Sequence, residues 1–379
     1  MDLSLIPAIV WSSIVTAVAC SLVGTFLVLR QMSMISEALS HAMLPGLILG
    51  LMVLGPLGSP QLVIGPAIIG LVMVLLIEGL SRSGVLAGDS PLGLVYPLLF
   101  SIGIVLLSRR FAGMPITETS VLIGDINFAA ATPLYAGTIL LGPRPLVVMG
   151  AILLLNAIFV AVFFKELKIT TFDPALAGAT GFPPAVVHYA LMTLVSITIV
   201  GAFEAVGAVL VVALLIGPPA TAYLLTRKLH TMVLLAAFIA AGSAWLGFQI
   251  AYVTDSATSG TMAMIIGMIF LVTFVIAPQR GLVAKSIQHR RNRQLFAEQM
   301  VLLCLDHHGG GQSQPCGAEF GNVNALAEHI GWTRDYTEAI LSRCISKRYL
   351  TSHHGVFVLT EHGRRKLRKL EGVVHDKRS

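Results

Sequence analysis

The sequence predicts an all-α polytopic membrane protein of about nine transmembrane helices, range eight to ten, with a small C-terminal cytoplasmic winged-helix domain of α+β type. Three observations predict it. Hydrophobic residues make up 55% of the chain and charged ones only 12%, whereas soluble domains run near a quarter charged. The mean hydropathy is strongly positive, +0.84. The few charges are also segregated. Residues 1–284 hold 10 Lys and Arg against 10 Asp and Glu, while residues 285–379 hold 15 against 9, together with 8 of the 11 histidines. That shift divides the chain into a transmembrane domain, 1–284, and a basic tail, 285–379.

Apolar runs of about 18–25 residues cross a bilayer as helices, because backbone groups cannot stay unpaired in hydrocarbon. Nine runs fit, at 5–29, 35–54, 61–80, 92–107, 146–164, 185–201, 205–226, 231–252 and 259–277. A weak tenth, 123–141, carries Asp125, Asn127 and Pro133 and reads as a partial or re-entrant piece. The first run has no basic segment before it and is expected to be a retained helix, not a cleaved signal. Arg30, Arg82, Lys165, Lys168, Arg227, Lys228, Arg280 and Lys285 collect on one side, Arg109, Arg110 and Arg144 on the other. The excess predicts an amino terminus outside and a tail in the cytoplasm. Cys20, Cys304, Cys316 and Cys344 lack metal-ligand spacing and read as reduced thiols.

In the tail, residues 293–308 have helical apolar spacing, and a Gly/Gln/Ser-rich loop follows to about Gly321. Two short helices, 323–330 and 333–347, flank a turn at Gly331-Trp332. Residues 350–359 read as a hairpin tipped by His353-His354-Gly355, and a basic helix, 361–370, closes the chain. This is the order of a winged helix.

The stretch from Gly24 to Gly50 carries the chemistry. Glu37 and His41 are four residues apart and share one helical face. An ionisable pair within a membrane helix needs a cavity, a partner or an ion. A carboxylate and an imidazole suit manganese, zinc or iron(II). The alternative is that Glu37 pairs with Arg30 while His41 is a hydrogen-bonded interior group.

Three motifs closely resemble the signature of metal-ion ABC transporter permeases of the zinc/manganese/iron uptake type. The first runs from Leu29-Arg30-Gln31-Met32-Ser33 to Ser40-His41-Ala42-Met43-Leu44-Pro45-Gly46. The second begins Thr171-Phe172-Asp173-Pro174-Ala175-Leu176-Ala177, with Gly181 following. The third runs from Val206-Gly207-Ala208-Val209-Leu210 to Leu215-Ile216-Gly217-Pro218-Pro219-Ala220-Thr221-Ala222. The resemblance spans roughly Leu5 to Leu282. It implies a helical permease subunit, paired as a dimer with a second copy or a paralogue, with no permanent cofactor and a divalent manganese, zinc or iron ion as cargo. Glu37 and His41 would then be metal ligands in the path. The family's acid there is commonly Asp, and the extra methylene of Glu moves the carboxylate by about a bond length. The resemblance further implies an ATPase subunit, an extracytoplasmic metal-binding protein and the bacterial plasma membrane.

The block of Phe172, Asp173, Pro174, Ala177 and Gly181 resembles a coupling helix that docks into the ATPase, with Asp173-Pro174 as its start signal. No GxxxxGK[ST] phosphate loop occurs, so hydrolysis is assigned to a partner, and the absence of HExxH argues against an intramembrane zinc protease. Glu204 lies at an expected helix break between Gly201 and Gly207, and His188, Glu78 and Asp255 are expected near solvated interfaces. Gly217-Pro218-Pro219 is expected to kink or end a helix.

The tail is similar to the DNA-binding domain of iron/manganese-dependent repressors through Leu326-Ala327-Glu328-His329-Ile330-Gly331, the helix 333–347 and Leu359-Thr360-Glu361-His362-Gly363-Arg364-Arg365. Arg334, Arg343, Lys347 and Arg348 would contact phosphates. Only Glu298 stands where that family places an acidic metal-binding pair. A protein partner or anionic membrane lipid is the other expectation for this basic surface. A combined transporter and membrane-tethered regulator is the alternative to a simple permease.

Overall fold

The computed structural model describes residues 6–54, 64–84, 90–110, 126, 129, 133–136, 139–278, 281–308, 323–353 and 356–367. Asp125, Asn127, Arg280, the 309–321 loop with Cys316, and the His354-Gly355 tip lie outside them. The chain divides into two compact units, Met1–Gly281 and Leu282–Ser379.

The first unit contains α1 (Ile6–Leu29), α2 (Ser33–Leu54), α3 (Ile64–Arg82), α4 (Ser90–Arg110), β1 (Pro133–Ala136), β2 (Ile139–Pro143) and α5 (Arg144–Val162). Then come α6 (Phe164–Phe172), α7 (Pro174–Ala179), α8 (Pro184–Val206), α9 (Ala208–Leu225), α10 (Leu229–Thr254) and α11 (Thr258–Ile276). Among the described residues, α1, α4, α5, α8, α9, α10 and α11 are the seven helices long and apolar enough to cross a membrane, and α3 supplies a shorter apolar stretch. Their outer faces are oily: Val253 and Phe238 are 81% and 76% exposed. The weak run near 123–141, read as a partial or re-entrant piece, is described only in part. Its described residues are Ile126 and Ala129, both helical, and the strands β1 and β2, which pair as an antiparallel hairpin, so this unit is not purely α. Pro133 and the Gly142-Pro143 pair bracket the two strands.

At the centre lies α1, packed against α5, α8, α9 and α10. Four of its five hydroxyls bond its own backbone, among them Ser13 to the Ile9 carbonyl at 2.8 Å and Thr16 to Ser12 at 2.7 Å, while Ser12 Oγ is buried without a hydrogen-bond partner among the described residues. One buried amide joins three helices. Asn156 of α5 donates to the Ala19 carbonyl of α1 at 3.1 Å and to Thr198 Oγ1 of α8 at 3.0 Å. Small residues let backbones meet. A Cβ on Gly24 would overlap the Leu215 carbonyl of α9, and one on Gly46 of α2 would overlap Pro66 of α3. Pro218 and Pro219 lie inside α9 and do not end it. Pro219 deprives the Leu215 carbonyl of its helical donor, and that oxygen is the one facing Gly24. The expected break narrows to Gly207, whose φ of +80° turns the chain between α8 and α9, while Gly201 stays helical.

The second unit contains α12 (Leu282–His308), α13 (Val323–Ile330), α14 (Arg334–Ser346), β3 (Leu350–His353), β4 (Val356–Leu359) and a last helix over 361–367. It has its own core of Val301, Leu302, Leu326, Ile340, Leu341, Leu350 and Leu367. Within it, Lys347 Nζ reaches both carboxylate oxygens of Glu298 at 2.7 Å. The adjacent Cys344 thiol is pushed up to about 11 by burial first and by the Glu298 charge second, so it is protonated at neutral pH.

Because the Glu298 side chain is only 6% exposed, removing its cation strands a charge. Lys347→Ala in a fragment covering 282–379 is expected to cost about 1–3 kcal/mol, the half-exposed ammonium screening part of the full penalty for a broken buried pair. Urea unfolding measures it, and a loss below about 0.5 kcal/mol would show the pair to be idle.

Candidate functional site

Five residues into α2, Glu37 is exposed, and one turn later His41 is half-buried. The His41 ring lies against Tyr96 and Phe100 of α4, with centroids 5.9 and 5.8 Å apart. Those aromatic neighbours hold the imidazole on the same side as the carboxylate. Met34, Glu37 and His41 form one stripe, i, i+3, i+7, along α2. Pro45, inside the helix, removes the donor that would bond the His41 carbonyl. The stripe thus offers a carboxylate, an imidazole and a backbone oxygen. Among the described residues no group of three His, Cys, Asp or Glu side chains gathers to hold a metal.

The pairing of Glu37 with Arg30 is not observed. The Arg30 guanidinium turns the other way, donating from Nε to Thr171 Oγ1 at 3.2 Å and from Nη2 to Thr170 Oγ1 at 3.0 Å. Its Nη1 meets His188 Nδ1 at 3.2 Å, and His188 Nε2 stands 3.9 Å from Glu78 Oε2. Burial draws the Arg30 pKa below its ordinary value, although a guanidinium keeps its charge. His188 and Glu78, expected at solvated interfaces, are only 19% and 23% exposed. Glu204 is ion-paired with Arg144 at 2.8 Å, while Asp255 is exposed, as the solvated reading expected.

The segment after α5 is built to keep a six-residue helix in place. Asp173 caps α7 by accepting from the Leu176 amide at 2.9 Å, and Pro174 occupies the first helical position. At the other end, the Gly181 amide bonds the Gly178 carbonyl and the Phe182 amide bonds Ala177, with Gly181 at φ +87°. This is a Schellman stop, which needs the left-handed residue that glycine supplies. Ala177 is fully buried, whereas Phe172, Leu176 and Phe182 are 62%, 52% and 38% exposed. The outward surface is aromatic and aliphatic, and Ala177 belongs to its foundation.

The profile described as the ABC 3 transport family matches residues 2–277. The chain belongs to that family. It is similar to the zinc transport system membrane protein TroD of Treponema pallidum, 35% identical over 94% of this chain and 96% of that one. It is also similar to the manganese transport system membrane protein MntD of Bacillus subtilis, 37% identical over 74% of this chain and 95% of that one. A solved structure, PsaBC from Streptococcus pneumoniae in complex with Fab, is 28% identical with a TM-score of 0.61, covering 74% of this chain and 94% of that one. The MntD match leaves no room in that relative for a segment the size of the second unit, whereas the TroD match extends into it.

In this ABC 3 family chain the four basic tail residues differ in availability. Arg334 is exposed and bonds Glu338 one turn away at 3.3 Å. Arg343 is exposed, and Arg348 has a left-handed backbone at φ +60° and is exposed. Lys347 is occupied by Glu298. The Arg30 cluster escaped sequence reading because Thr170 and His188 lie 140 and 158 residues away. Arg30 stood in the first motif and Thr171 at the head of the second, but nothing in the sequence joined them.

Proposed function

We propose that this chain is the membrane-spanning permease subunit of an ATP-binding-cassette importer for a divalent transition-metal ion, manganese, zinc or iron. It works in the bacterial plasma membrane with a separate ATPase subunit and an extracytoplasmic metal-binding protein, and binds no permanent cofactor. The observation that carries the reading is the Glu37–His41 stripe: a carboxylate with no partner among the described residues, on the outer face of an apolar bundle. Lipid would not tolerate it. Against a second permease copy or paralogue across a two-fold or pseudo-two-fold axis, two stripes bring four ligands together, enough for a shell. The relatives named for zinc and manganese transport support this cargo class. Counting α2 and α3 with the seven gives nine crossings. The grouping of Arg30 with α6 and the start of α8 supports a cytoplasmic face there, and the Arg144–Glu204 pair an outer one. On this count the tail is cytoplasmic. In vesicles holding the whole complex, His41→Ala and Glu37→Gln are each expected to cut metal uptake at least tenfold with insertion and pairing intact. Glu37→Asp keeps activity with a shifted preference among the metals. Uptake near normal in both of the first two variants would sink the ligand assignment.

Docking of the ATPase is assigned to Phe172, Leu176 and Phe182, on the helix that Asp173, Pro174, Ala177 and Gly181 hold in shape. Phe172→Asp with Leu176→Asp is expected to reduce co-purification of the ATPase subunit at least tenfold, by placing charge in an apolar contact. Undiminished co-purification would move the docking site elsewhere.

The second unit is a cytoplasmic winged-helix-like domain on this reading, supported by its helix–turn–helix, hairpin and separate core. Phosphate contacts would come from Arg334, Arg343 and Arg348, giving a combined transporter and DNA-binding regulator. The fragment 282–379 should then bind duplex DNA with an affinity that falls steeply as salt is raised. No binding at low salt, or binding indifferent to salt, would remove DNA from the account.

A further inference from the structure

The turn joining α1 to α2 is stiff. The Gln31 amide bonds the Val28 carbonyl at 3.1 Å and the Met32 amide bonds Leu27 at 3.0 Å, with Gln31 left-handed at φ +59°. This is another Schellman stop, made here without glycine. The Ile35 amide then bonds the Met32 carbonyl at 3.1 Å and α2 begins at once. Glu37 follows Ser33 by four residues, about 6 Å along the axis. Whatever moves the turn moves the carboxylate.

What holds the turn is Arg30. Its three bonds run to two side chains of α6 and one of α8, and none returns to its own helix. Thr170 in turn donates to the Glu166 carbonyl at 2.8 Å, so its oxygen is oriented to accept from the guanidinium. On the far side, accepting from Arg30 places the His188 proton on Nε2, toward Glu78 of α3. A single planar fork thus bridges the end of α6, immediately before Asp173 and α7, to the root of α2. Lysine, a point charge with no fork, cannot span these acceptors in the same plane.

We infer that Arg30 is the positioning residue that couples the α6–α7 docking segment to the metal-bearing stripe of α2. The inference rests on the importer reading above. A displacement of α6 on ATP binding or hydrolysis reaches Thr170 and Thr171 first and is passed through the guanidinium to the α1–α2 turn. From there it carries Glu37 and His41. Glu78 and His188 extend the same linkage to α3 and α8. Arg30 touches no metal; it sets how much transport each ATP produces.

The test uses the full complex, with its ATPase subunit and binding protein, reconstituted in vesicles and supplied with manganese(II). Uptake and ATP hydrolysis are measured together and expressed as a ratio. Arg30→Gln, and separately Thr170→Val with Thr171→Val, are expected to retain the ATPase subunit and basal hydrolysis within about twofold. The ratio should fall at least tenfold in each. Arg30→Lys should restore part of it, by keeping the charge without the fork. A wild-type ratio in an assembled Arg30→Gln or double-threonine complex overturns the inference. So does loss of the ATPase subunit in both, which would make the cluster a folding element. A wild-type complex that carries no manganese overturns the importer reading itself, an outcome recognisable without any variant.

Discussion

Inside a bilayer there is no water to accept or donate a hydrogen bond, and this constraint governs nearly every polar atom of the first unit. Serine and threonine hydroxyls fold back onto carbonyls one turn earlier, as at Ser13, Thr16 and Thr25. Asn156, the least tractable of them, spends its amide on two other helices and so fixes α5, α1 and α8 relative to one another. Glu204 takes Arg144. Against that economy Glu37 stands out, since its carboxylate faces outward. The metal-ligand role proposed above for Glu37 would supply that carboxylate with an ion and a second subunit.

The long apolar runs were legible in the sequence because length and hydropathy alone decide them, and the seven helices that qualify fall on runs expected to span. The short elements were not. The 133–143 hairpin is apolar enough to pass for a helix, and only its proline and glycine spacing distinguishes it. The helix break was expected between Gly201 and Gly207 and lies at Gly207; Gly201 serves packing instead, since a Cβ there would crowd Ile152.

The site was half legible for a comparable reason. An i, i+4 relation put Glu37 and His41 on one face, and the structure adds the aromatic wall of Tyr96 and Phe100 that holds the imidazole. Which residues of Phe172–Gly181 point outward could not be read, because a six-residue helix is too short for its period to reveal a face. The inward turn of Ala177 is a matter of packing. The Arg30 fork belongs to a third kind: its acceptors are distant in sequence and chemically ordinary, so nothing in the chain announces that they meet.

The crossing of α1 with α9 has a mechanical meaning. At Gly24 the contact is main chain against main chain, with the Leu215 oxygen set on the glycine and no side chain between them. Side chains absorb small shears by changing rotamer, and here there is none to change. The two helices therefore behave as a scissor joint, free to alter their angle but unable to slide. Such a joint acts as a fulcrum for any change of shape in the bundle, whose travel has to come from the helices that swing around it.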